Sequence, residues 1–336
     1  MNKIIQMKMI CLGFIAVILF NQSQAQTTSV QDSLPAIALE EVKVAGIRAD
    51  ESQPFAYTNV DKKELSSRNL GQDLPIMLNY LPGVVTTSDA GAGIGYTGIR
   101  VRGSDATRVN VTINGIPYND SESQGLYWVN LPDFTSSVSS LQMQRGVGTS
   151  TNGSGAFGAS INLLTDAVSE NAFAEIANSV GSFNSLKHTL MFSTGILNDH
   201  FEISGRLSKI TSDGYIDRAT SDLNSYFLQA AYQDENTLIK AIMFGGHEIT
   251  YHAWFGIDEN TLNTNRTYNP AGEIYDDIGN LEGHYDRQLD EYLQDHYQLH
   301  WNQKLNTYTN LSLGLNYTWG RGAYEEYKDL WFEQNI

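Results

Sequence analysis

Four stretches in the second half of this chain alternate apolar and polar residues with a period of two. Along 201–208, Phe201, Ile203, Gly205 and Leu207 stand against Glu202, Ser204, Arg206 and Ser208. Along 226–233, Tyr226, Leu228, Ala230 and Tyr232 stand against Phe227, Gln229, Ala231 and Gln233. Along 297–303, Tyr297, Leu299 and Trp301 face Gln298, His300 and Asn302. Along 310–319, Leu311, Leu313, Leu315, Tyr317 and Trp319 face Asn310, Ser312, Gly314, Asn316 and Thr318. Successive side chains of a strand point to opposite faces, so each stretch is a strand with one apolar side. Weaker versions at 173–180, 186–194 and 237–247 bring the expected number to seven. The pattern fits a sandwich in water as well as a barrel wall in lipid.

The connections favour the wall. Short turns are expected near 195–200, 234–236 and 303–306, and long loops at 209–224 and 248–290, with a tight first hairpin near 181–185. Short turns on one side and long loops on the other mark a transmembrane β-barrel, and aromatics near strand ends (Phe201, Tyr226, Tyr232, Trp319) fit its interfacial girdles. The net charge of −17 argues against nucleic acid as a partner. It is unevenly spread, −2 over 51–165 and −15 over 166–336, which places a boundary near 166–172. Eight acids fall in 271–295 against the single base Arg287. This reads as an acidic outer loop: a solvated face, a screen against anions, or a seat for divalent ions bridging to lipopolysaccharide.

The start reads as an export signal. Lys3 and Lys8 precede an apolar run from Met9 to Phe20, and Ser23-Gln24-Ala25 supplies small residues for cleavage after Ala25. The single cysteine, Cys11, lies inside that signal, so the mature chain has none to cross-link. An extension over 26–50 follows. Within it Leu39-Glu40-Glu41-Val42-Lys43-Val44 is a short potential strand. It is either a template for strand addition by a partner or the first strand of the next domain.

The region 51–165 mixes helix and strand signals. Asp73 is a candidate N-cap for a helix carrying Leu74, Met77, Leu78 and Leu81, stopped by Pro82-Gly83. Ile99–Gly103 and Val109–Ile113 read as strands, and Asn114-Gly115 as a tight turn before Ile116-Pro117. Leu141–Gly146 leads into Gly148, Gly153, Gly155 and Gly158, then the apolar run Ile161–Thr165. Gly153–Gly158 formally fits G-x-G-x-x-G, but a dinucleotide site needs a helix after it, and a strand-like run follows. Small residues for tight backbone turns are the plainer reading. His296 and His300 are the only closely spaced histidines, and on a strand they read as polar residues facing a lumen. No catalytic constellation, metal-ligand cluster or cofactor motif is expected.

The order of these motifs resembles the plug domain of TonB-dependent outer-membrane receptors. The resemblance rests on Leu81–Val84, Ile99–Gly103, Asn114–Pro117 and the stretch from Leu141 through Arg145-Gly146 to Gly155–Asn162. It implies an α+β plug over 51–165, followed over 170–336 by the first antiparallel strands of a large transmembrane β-barrel. Such barrels have about 22 strands, so the chain reads as an N-terminal portion of a receptor. Leu39–Val44 would be the TonB box, pairing with TonB, which works with ExbB and ExbD at the inner membrane. Arg102 and Arg145 would pair with acids on the barrel wall. The plug's outward loops, Thr86–Gly98 and Tyr118–Trp128, would touch the solute through Tyr96, Tyr118, Asn119, Asp120, Glu122, Gln124, Tyr127 and Trp128. The solute expected first is an iron–siderophore or other iron complex. A SusC-like glycan importer and a passive barrel or adhesin are the alternatives.

Overall fold

The computed structural model describes residues 48–52, 54–148 and 156–328. The export signal and the Leu39–Val44 segment lie outside the described residues. The first part is built on a five-stranded sheet in the order β1-β6-β7-β4-β5. Its strands are β1 (Ala56–Asp61), β4 (Val109–Ile113), β5 (Ile116–Pro117), β6 (Val138–Arg145) and β7 (Ala159–Thr165). β4 and β7 run parallel and the other pairs antiparallel. β2 (Val84–Ser88) and β3 (Thr97–Val101) form a separate hairpin. The turn between β4 and β5 is the expected one, with Asn114 and Gly115 both at positive φ (52° and 77°).

The helices are short. α1 (Lys62–Arg68) is capped by Asp61, whose side chain accepts from the Glu64 amide at 2.8 Å, with Glu64 itself at the third position of the helix. α2 (Leu74–Met77) is a single turn, where a longer helix to Leu81 was expected. Asp73 occupies its N-cap position without capping it and instead accepts from the Thr97 hydroxyl at 2.9 Å. Leu74, Met77, Leu78 and Leu81 are nonetheless all buried in the core.

The plug sheet has two unlike faces. Val109, Val111, Ile113, Leu141, Met143, Ile161 and Leu163 enter the hydrophobic core. Asn110, Thr112, Gln142, Gln144, Ser160 and Asn162 are buried on the other side. There Gln142 exchanges hydrogen bonds with the Ala49 backbone at 2.7 and 2.9 Å, and Arg48 donates to the Asn162 carbonyl at 2.9 Å.

Seven antiparallel strands follow, each pairing with the next. They are β8 (Ala172–Val180), β9 (Leu186–Thr194), β10 (Phe201–Ser212), β11 (Ser221–Gln233), β12 (Thr237–Tyr251), β15 (Leu289–Asn306) and β16 (Thr309–Glu325). Between β12 and β15 a small hairpin forms from β13 (Glu273–Tyr275) and β14 (Leu281–His284), and α3 (Glu259–Thr264) precedes it.

The direction of the alternation decides between sandwich and membrane wall. Glu202 and Arg206 on β10 are 1% and 2% exposed, facing the plug, whereas Phe201 and Leu207 are 51% exposed on the other side. On β15, His296, Gln298, His300 and Asn302 are buried while Tyr297, Leu299 and Trp301 are exposed. A sandwich in water would bury the apolar set. An apolar face this broad is at home against lipid, with the polar face turned to the lumen. Two aromatic rows edge it. Phe201, Tyr232 and Trp301 share one register level, and Tyr226 and Trp319 share another. The two levels are six residues apart on β11, roughly 20 Å of strand.

The strands outrun their sequence pattern. β10 continues to Ser212 and β12 to Tyr251, which shortens the expected loops to 213–220 and 252–288. β15 begins at Leu289, so Asp290, Glu291 and Asp295 of the expected acidic loop lie on a strand, and Glu273 and Glu282 lie in the small hairpin. Short turns at 195–200, 234–236 and 307–308 share one end of the wall, and the 213–220 and 252–288 connections share the other.

Candidate functional site

A cavity of about 720 Å³ lies between the plug and strands β12, β15 and β16. The plug side is formed by Tyr96, Tyr118, Asn119, Asp120 and Tyr127, and the wall side by Glu248, Asp290, Gln294 and His296 among others. Glu248 and Asp290 stand near the long-loop ends of their strands, which places the cavity toward that end.

Local folding explains the positions of the plug residues. After the Asn114-Gly115 turn, Asn119 binds back to β4, its Oδ1 accepting from the Val111 amide at 2.7 Å and its Nδ2 donating to the Val109 carbonyl at 2.9 Å. This pins the strand exit and presents Tyr118 to the wall. The Tyr118 hydroxyl donates to Gln294 Oε1 at 3.0 Å, and its ring centre lies 4.9 Å from that of His296. The Asp120 carboxylate accepts from the Glu122 and Ser123 amides at 3.0 and 2.7 Å, closing a turn. Tyr96 donates its hydroxyl proton to Asp290, and its oxygen lies 3.4 Å from Glu248 Oε1. Burial, these two carboxylates and the hydrogen bond to Asp290 hold the Tyr96 phenol protonated well above its ordinary range. Its ring meets those of Tyr127 and Trp254 edge-on, at 6.4 and 5.5 Å.

Five of the eight expected solute-contact residues therefore come together. Glu122 and Gln124 sit on the exposed turn outside the cavity lining. Trp128 is 3% exposed and packs in the plug core, because its short 3-10 turn directs the indole inward with Leu131 and Phe134. The wall residues Glu248, Asp290, Gln294 and His296 were not expected. His296 carried a sequence signal as a polar residue facing a lumen, and Gln294 shares its strand parity, whereas Glu248 shares its parity with the apolar Ile242 and Phe244.

Among the described residues the ionic contact between plug and wall does not involve Arg102 or Arg145. Arg102 is exposed in the left-handed backbone region (φ 50°) and donates to the Arg145 carbonyl at 3.3 Å. Arg145 donates to Thr58 Oγ1 at 2.7 Å, and neither arginine has an acidic partner among the described residues. The contact centres instead on Asp133, which also has positive φ (52°). Its Oδ1 lies 2.6 Å from Lys187 Nζ and accepts from Asn69 and Ser136 at 2.9 and 2.6 Å. Its Oδ2 accepts from Thr189 and Ser208 at 2.6 and 2.5 Å and lies 3.5 Å from Arg206 Nη1. Burial alone would raise this carboxyl, but Arg206 and Lys187 outweigh it and hold the group well below the usual carboxylate range. Arg206 further donates to Ser137 Oγ at 2.8 Å, and Phe134 packs on Phe227 and Phe244 of the wall at 6.3 and 5.0 Å.

Gly158 shows why small residues precede β7. A Cβ there would stand 2.5 Å from Ser104 Cβ and 3.1 Å from the Arg108 carbonyl oxygen. A strand follows it, so the context of a dinucleotide site is absent.

Residues 49–160 match the family described as the TonB-dependent receptor plug domain. No curated protein matches the sequence. Among solved structures, the unliganded ferric citrate transporter FecA aligns with TM-score 0.64 at 14% identity, over 82% of this chain and 41% of its own. The ferric-catecholate import receptor Fiu from E. coli K12, in its closed form, aligns with TM-score 0.62 at 15% identity, over 81% and 38%. The ferric yersiniabactin uptake receptor FyuA from Yersinia pestis aligns with TM-score 0.59 at 16% identity, over 82% and 43%. The chain spans about two fifths of the length of these proteins. Residues 49–160 thus match the plug domain of the TonB-dependent receptors, and the antiparallel strands after them share the fold of the corresponding strands in these solved structures.

Proposed function

We propose that this protein is an outer-membrane receptor that captures a scarce, large solute at its outer face and takes it up at the expense of energy supplied by TonB. The observation that carries this reading is the inverted wall: an apolar face turned outward and a polar face packed on a plug. Residues 1–25 direct export and are removed. The solute binds in the cavity through Tyr96, Tyr118, Asn119, Asp120 and Tyr127, and an iron complex is the first candidate, since iron chelates are what the structural neighbours carry by name. Leu39–Val44 adds as a strand to TonB, whose pull is powered through ExbB and ExbD. The pull reaches the plug sheet where Arg48 and Ala49 grip β6 and β7. Outward-facing Glu291 and Asp295 stand near the long-loop ends, where ions bridging to lipopolysaccharide would sit. The role is transport and asks for no catalytic group.

Deleting Leu39–Val44 is expected to abolish uptake by cells while leaving solute binding at their surface unchanged. Uptake that survives the deletion refutes the coupling.

A further inference from the structure

We infer that the cavity between plug and wall selects a cationic ligand, whose positive charge sits between Glu248 and Asp290. This rests on the reading of the cavity as the solute site. The carboxyl groups that line it are Asp120, Glu248 and Asp290, beside the His296 imidazole, and no lysine or arginine lines it.

Glu248 is the decisive residue. Its side chain is buried, 1% exposed, on the plug side of β12. Its one close donor is neutral, the Thr250 hydroxyl at 3.2 Å, and the Tyr96 oxygen, which gives its proton to Asp290, lies 3.4 Å away. Among the described residues no basic side chain comes within ion-pair distance of it, and its carboxylate neighbour across the Tyr96 hydroxyl is Asp290. At the same interface Glu202, equally buried, accepts from three neutral donors, Ser193, Ser169 and Gln229, at 2.8, 3.4 and 3.2 Å. Asp133 is met by Lys187, Arg206 and four neutral donors. A desolvated carboxylate without such partners is costly, and a cation entering beside it removes that cost. A polyanionic chelate entering the same space would meet like charge on both walls. The aromatic side suits the same ligand: the rings of Tyr96 and Tyr127 line the cavity 6.4 Å apart, and aromatic faces attract cations.

The test is fluorescence quenching of the full chain in detergent by three iron complexes: ferrioxamine B, which is cationic, and ferric citrate and ferric enterobactin, which are anionic. The wild type is expected to bind ferrioxamine B in preference. Glu248→Gln and Asp290→Asn, which keep the shape of the site, are each expected to weaken that binding at least tenfold. Tighter binding of the anionic complexes overturns the inference, as does ferrioxamine B binding that neither substitution changes. Asn316→Trp, which fills the cavity without altering its charge, separates the two readings. Anionic complexes that bind and are displaced by this substitution leave the cavity as the solute site and refute only its charge preference. Binding of all three that ignores it refutes the cavity itself.

Discussion

Asp133→Asn is the sharpest perturbation of the plug's hold on the wall. The amide keeps the shape of the carboxylate but removes the negative charge that Lys187 and Arg206 share, these two being 4% and 2% exposed. Two cations are then left in a dry interface without their ion-pair partner. Removing one partner of a buried ion pair costs about 3–5 kcal/mol, mostly from the charge left behind. The amide also turns a donor toward a site already crowded with donors from Asn69, Ser136, Thr189 and Ser208. At about 1.4 kcal/mol per factor of ten, the plug should leave the wall at least about 100-fold more often.

Hydrogen exchange reads this directly. Amides of β6, next to the latch in sequence, should lose about two orders of magnitude of protection in the variant, while the β11–β12 pair keeps its own. A loss below about threefold, the scatter of ordinary surface substitutions, would refute the idea that this contact holds the plug. Replacing all three residues by apolar ones, Asp133→Leu with Lys187→Met and Arg206→Met, should restore protection, since the cost lies in uncompensated charge. The pH dependence has a definite sign. The folded-state value of Asp133 lies below the ordinary 3.8, so its contribution is complete above that value and is lost only as pH falls through the lower one. The latch should therefore hold unchanged from pH 5 to 8 and loosen only in strong acid.

Three further outcomes follow from the same geometry. Leu299→Arg, on the outward face, should cost about 2–4 kcal/mol of folding stability in bilayers, read by gel mobility of the folded band, whereas Asn316→Arg on the inward face of β16 should fold normally; equal losses would contradict the assignment of faces. Gly158→Val drives a side chain into Ser104 and the Arg108 carbonyl, and should lower plug stability by about 1–3 kcal/mol, measured as faster limited proteolysis of the plug. Burial pushes the Asp73 carboxyl up to about 8 against the opposing hydrogen bond from Thr97, so plug stability should fall by up to about 1.4 kcal/mol per pH unit between pH 4 and 8, and Asp73→Asn should flatten that slope in denaturant titrations.

What could be read from the sequence was whatever depends on neighbours along the chain. The period of two located all seven strands, and Asn114-Gly115 fixed its turn because two positive φ angles in succession need such residues. Strand length escaped for a physical reason. Alternation is enforced only where one face meets lipid, and beyond that band Lys209, Asp222 and Asn224 occupy the outward parity of β10 and β11. Trp128 was misplaced because an aromatic beside polar neighbours looks the same whether it lines a cavity or enters a core.

The wall half of the site was hidden because the Tyr96–Asp290 contact spans 194 positions and depends on how the plug is turned inside the wall. No local pattern encodes that rotation, yet the strand parity restricts it. A charged side chain on the inward parity faces a lumen filled by the plug, so it must find its partner there or remain in contact with water. Arg206 finds Asp133 and Ser137, Lys240 finds the Asp166 carbonyl at 3.1 Å, and Glu202 finds Ser193 and the Ser169 amide at 2.8 and 3.4 Å. Glu248 finds the Tyr96 hydroxyl and no positive charge. The inward charges thus help fix the plug's orientation from the wall side, and Glu248, whose nearest donor is the Thr250 hydroxyl at 3.2 Å, marks the place where the fold leaves room for something other than itself.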